Sequence, residues 1–117
     1  MTPFGRRLRE LRREKGRRLK DMAEALGVSE AYLSALEHGH RGRPAGGLVQ
    51  QVSAYFNLAW DDVDELRRLA DISHPRVVVD TSGLDPLATE LANRLAKCVR
   101  TLDRATLSRL LALLGKT

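Results

Sequence analysis

The sequence holds a single cysteine, Cys98, in 117 residues. One thiol excludes an internal disulfide framework and any zinc site built from cysteines alone, and it suits a reducing compartment. Aromatic residues are only 4% of the chain, one Trp, two Tyr and two Phe, too few for an aromatic-rich strand architecture. No run approaches the 18 or more apolar residues of a membrane span. Residues 1–10 turn basic at once, with no apolar stretch of the kind a secretory signal needs; the expectation is a cytoplasmic protein. No Ser-His-Asp order and no glycine-rich phosphate loop is present, so nothing points to an enzyme. His38 and His40 stand two apart in a basic glycine loop without a nearby carboxylate or thiol pair, which argues against a metal centre. No cofactor is expected.

What the chain does contain favours helix. Leucine and alanine dominate, and charged residues make up 30%. The formal net charge is +5. Residues 1–43 carry 11 Lys/Arg against 6 Asp/Glu, and the rest is balanced. An excess confined to one end points to a surface facing a polyanion.

Apolar spacing and capping residues divide the chain. Thr2-Pro3 opens a first helix with Phe4, Leu8 and Leu11 on one stripe, stopped near Gly16. Leu19, Met22, Ala23 and Leu26 make a second, closed by Gly27. Ser29 caps a third that turns Leu33 and Leu36 inward. A fourth is predicted over about 47–57, and a fifth capped by Asp61, with Val63, Leu66, Leu69 and Ala70 inward. Residues 73–83 read as an extended linker. Asp85-Pro86 then starts a helix striped by Leu87, Leu91, Leu95, Cys98 and Leu102. Asp103 caps a last one holding Leu107, Leu110, Leu111 and Leu114. Cys98 is expected as a packed core thiol. The expected fold is all-α: a domain over 1–72, the linker, and a helical hairpin over 84–117 that serves as a dimerisation element.

Leu19 to Glu37 fits two short helices crossing steeply through a tight turn. Ala23 is small where the helices cross, and Gly27 permits a positive φ where the chain reverses. Met22, Leu26, Val28, Leu33 and Leu36 supply the apolar contacts.

On these residues, with Leu11-Arg12, Asp21-Met22-Ala23, Leu26-Gly27-Val28-Ser29, Tyr32-Leu33-Ser34-Ala35-Leu36-Glu37, Gly39 and Arg43-Pro44, the sequence resembles the Cro and phage-repressor (Xre) type of helix-turn-helix regulator. The resemblance covers about residues 3–71 and not 72–117. It implies a five-helix lambda-repressor-like DNA-binding domain, used as a homodimer on a palindromic operator, with the third helix in the major groove. It places Glu30, Ala31, Ser34 and Ala35 where bases are read. Arg18, Lys20, Ser29, Tyr32, Arg41 and Arg43 fall where the DNA backbone is held, and Arg12 with Glu37 matches a pair tying the first helix to the third. Arg18 and Leu19 stand where the family has a Thr or Ser cap and then Gln, and Arg17 replaces a usual apolar residue. The resulting expectation is a transcription regulator, most simply a repressor, associated with the nucleoid. The other expectation, from a different class, is the antitoxin of a toxin–antitoxin pair, with a toxin protein as its partner.

Overall fold

Helix starts are set by side chains that accept the amide protons a first turn leaves unpaired. In a computed structural model, which describes residues 1–41 and 44–115, all regular structure among those residues is helical. The chain divides into two units, Met1–Val77 and Val78–Thr117.

In the first unit the Thr2 hydroxyl accepts from the Gly5 amide at 3.0 Å, and α1 runs Pro3–Glu14. Gly16, at φ +63°, turns the chain away. Helix α2, Leu19–Leu26, has Arg18 at its cap position and gains no side-chain cap from it. It ends at Gly27 in the left-handed conformation, φ +70°, with the Val28 amide bonded back to the Ala23 carbonyl. Ser29 accepts from the Tyr32 amide and starts α3, Glu30–Glu37. Helix α4 is Leu48–Tyr55, shorter than the periodicity predicts, because Gly47 at φ +83° and Asn57 at φ +52° bracket it. Helix α5 is Trp60–Asp71. The expectation that Asp61 caps it is corrected. Ala59 holds the cap position, the Val63 amide bonds to its carbonyl, and Asp61 and Asp62 lie inside the first turn. There they still favour the positive end of the helix dipole.

Five helices enclose one core. Phe4, Leu8 and Leu11 meet Met22, Ala23 and Leu26, Leu33 and Leu36, Leu48, Val52 and Phe56, and Leu66 and Ala70. Val49, Tyr55, Val63 and Leu69 are half-buried at its edge. Helix α3 packs on α1 and α2, α4 on α2 and α5, and α5 returns to α1. Two contacts close this ring. Gly5 is buried against the end of α3, where a Cβ would overlap the Leu36 carbonyl oxygen. Ser73, also buried, accepts from the Phe4 amide at 2.9 Å and donates to the Leu69 carbonyl. It thereby satisfies one orphan donor of α1 from just past the end of α5.

Residues 73–85 contain no helix or strand. In the second unit Asp85 accepts from the Leu87 amide and Pro86 opens α6, Pro86–Cys98. A 3₁₀ turn over Val99–Thr101 follows, and Asp103 accepts from the Thr106 amide to start α7, Arg104–Leu114. No residue of α6 or α7 is buried. Leu87 is 72% exposed and Leu111 67%. Cys98 is half-buried, not sealed in a core, because the described residues of this unit form none. Among the described residues no helix is long and apolar enough to cross a membrane.

Candidate nucleic-acid interface

A two-turn helix can offer an outward face only if its inner face is anchored. In α3, Leu33, Leu36 and Glu37 are buried. Glu30 and Ala31 are exposed, and Ser34 and Ala35 half-buried. Their spacing puts these four on one side of the helix, away from the core. Three of the four are Ala or Ser, so the backbone of α3 is thinly covered there.

The inner face is fixed by a charge pair. Arg12 Nε and Nη2 donate to the two carboxylate oxygens of Glu37 at 2.7 and 3.0 Å. Glu37 is only 1% exposed. Arg12 Nη1 also donates to the Arg17 carbonyl, so one guanidinium joins α1, the α1–α2 connection and the end of α3. Donating to the Glu37 carboxylate holds the Arg12 guanidinium above its ordinary pKa, against some opposing loss of solvation. A surface pair would be worth about 0–1 kcal/mol; one carboxylate here is fully covered and its geometry is bidentate.

The candidate backbone contacts fall in three places. Arg18, at the start of α2, pairs with Asp21 at 2.9 Å, and that hydrogen bond holds the Asp21 carboxyl below its ordinary value. Lys20 is exposed beside it. Ser29 is exposed at the α3 cap; its oxygen already accepts from Tyr32, which leaves the hydroxyl proton to donate. The loop after α3 brings Tyr32 and Arg41 together. The Arg41 guanidinium lies 5.5 Å from the Tyr32 ring centre. The Tyr32 hydroxyl accepts from the Ala45 amide at 2.8 Å. Arg43, which sequence also assigns to this loop, lies outside the described residues.

Sequence reasoning missed several contacts. Arg17 is not an odd substitution alone: its guanidinium lies 5.7 Å from the Tyr55 ring centre, a cation–π arrangement that keeps an arginine where an apolar residue would pack. His38 Nδ1 lies 2.8 Å from the Ser34 carbonyl of its own helix. Among the described residues no group of three or more His, Cys, Asp or Glu could hold a metal ion.

Residues 3–73 match a family model described as a helix-turn-helix domain. The HTH-type transcriptional regulator SinR of Bacillus subtilis (strain 168) is 34% identical over 56 residues, 48% of this chain and 50% of that protein. The HTH-type transcriptional regulator DdrOP3 of Deinococcus deserti is 44% identical over 59 residues, 50% of this chain and 45% of that protein. A chain of a solved SinR/SinI protein complex aligns over 95% of this chain and 93% of its own length at 25% identity, with a TM-score of 0.47. The chain spans about half the length of the curated relatives it matches.

Proposed function

Because this chain belongs to the helix-turn-helix domain family, a binding rather than a catalytic family, we propose that it is a sequence-specific DNA-binding transcription regulator, acting as a repressor in the cytoplasm. The observation that carries this reading is the open face of α3, with Glu30 and Ala31 exposed on a helix pinned from behind by Arg12 and Glu37. Glu30, Ala31, Ser34 and Ala35 meet base edges in the major groove, Glu30 as an acceptor for cytosine N4. The reading face carries no basic side chain, so affinity comes from its flanks: Arg18, Lys20, Ser29, Arg41 and Arg43 hold phosphates, with Tyr32 on the same backbone-facing side beside Arg41. The excess charge of residues 1–43 supports this division. Arg18 gives up its Asp21 pair to do so.

The exposed leucine stripes of α6 and α7 support a homodimer formed through residues 84–114. Two-fold symmetry then sets two α3 helices about 34 Å apart on a palindromic operator, and the bound dimer excludes polymerase. The same stripes favour a second reading, an antitoxin whose C-terminal unit covers a toxin protein. Copurification of a small heteromeric partner decides between the two.

The test is selection from a random DNA pool, followed by affinity measurements across salt. Each neutralised phosphate contributes a slope of roughly −0.9 in log K against log salt. Arg41→Ala should weaken all duplexes about equally and flatten that slope. Ala31→Arg should change the selected motif and leave the fold intact. A motif unchanged by Ala31→Arg would move base reading off α3.

A further inference from the structure

We infer that Tyr32 is a positioning residue that clamps the loop after α3 onto the reading helix and so fixes where Arg41 grips a phosphate; this rests on the DNA-binding reading above. The loop is tied to α3 on its way out and on its way back. On its way out, the His40 and Arg41 amides donate to the Ala35 carbonyl at 2.9 and 3.3 Å. On its way back, the Ala45 amide donates to the Tyr32 hydroxyl at 2.8 Å. Residues 32 and 35 are one helical turn apart, so the Arg41 and Ala45 amides are both held by a single turn of α3. The Arg41 guanidinium also lies 5.5 Å from the Tyr32 ring centre, which narrows the directions a long, exposed side chain explores.

The consequence is a fixed register between two kinds of contact. Ala31, Ser34 and Ala35 read from the same short helix that holds the phosphate-gripping arginine. An Arg41 confined before binding loses less conformational entropy when DNA arrives. The Tyr32 hydroxyl accepts from Ala45 and still has its own proton to give, so a direct phosphate contact by Tyr32 is the competing role the experiment must separate.

Tyr32→Phe removes the hydroxyl and keeps the half-buried ring. Two measurements on the full chain test the clamp. The first is amide exchange at Ala45 in the free protein, by NMR. It should quicken about five- to tenfold in Tyr32→Phe, in line with the loss of one net hydrogen bond, while the thermal midpoint stays within the scatter of wild type. The second is duplex affinity for wild type, Tyr32→Phe, Arg41→Ala and the double variant. Tyr32→Phe should weaken binding about three- to tenfold alone and less than about twofold in the Arg41→Ala background, because its effect runs through Arg41. Equal losses in both backgrounds would make Tyr32 an independent DNA contact and overturn the clamp. Unchanged Ala45 exchange, with DNA binding intact, would overturn it as well. A wild-type chain that binds no duplex would instead overturn the DNA reading itself.

Discussion

Gly5 sits in the first turn of α1 with the Leu36 carbonyl directly against its Cα. Helix propensity alone says that alanine there should stabilise by about 1 kcal/mol. The close approach says the opposite, since an added Cβ must push α1 off α3, at a cost of roughly 1–3 kcal/mol or more. We expect Gly5→Ala to be net destabilising in urea unfolding; a stabilised variant would show that α1 and α3 stand further apart. Gly27 was legible from sequence, because a glycine between two amphipathic stripes marks a reversal, and its φ is +70°. Gly5 was not, because within a helix it looks like any small residue until its neighbour is known. Tyr32 and Arg17 were hidden in the same way. Side-chain type suggests a ring or a charge, but the contact each makes depends on residues 13 and 38 positions away, Ala45 and Tyr55.

Element boundaries read well wherever a polar side chain makes the cap. Thr2, Ser29, Asp85 and Asp103 all accept from the turn that follows. They read badly where backbone geometry alone makes the start, as at Ala59, and there the nearest carboxylate, Asp61, attracts the assignment. The Asp103 cap carries a pH signature. Hydrogen bonds from Thr106, side chain first and backbone amide second, hold the Asp103 carboxyl below its ordinary value. A carboxyl depressed on folding binds fewer protons in the helix than in the coil. Its contribution to α7 is therefore present above about pH 4 and lost as pH falls through the depressed value. The Thr106 amide shift should follow that titration by NMR, and Asp103→Asn, which keeps an acceptor that does not ionise, should flatten it. A Thr106 shift that titrates equally in Asp103→Asn would place the proton elsewhere.

At the scale of the whole molecule, two units differ in kind. Among the described residues, the first closes a core of thirteen buried apolar residues and the second buries none. The leucine stripes of α6 and α7 were plain in the sequence because periodicity is local; their exposure was not, because burial depends on surfaces distant in sequence. Cutting the chain after Val77 should leave a domain that unfolds cooperatively, stays monomeric and binds an operator much more weakly than the full chain. The full chain should scatter light as a dimer. A truncated form that dimerises as tightly would put the interface within residues 1–77.

Ser73 gives the first unit an unusual weak point. Chain ends of a domain normally fray independently. Here the Phe4 amide of α1 and the Leu69 carbonyl of α5 share the Ser73 hydroxyl, so the two ends form a single seam. A pull on the segment that follows Ser73 would therefore load the amide at the first turn of α1 directly.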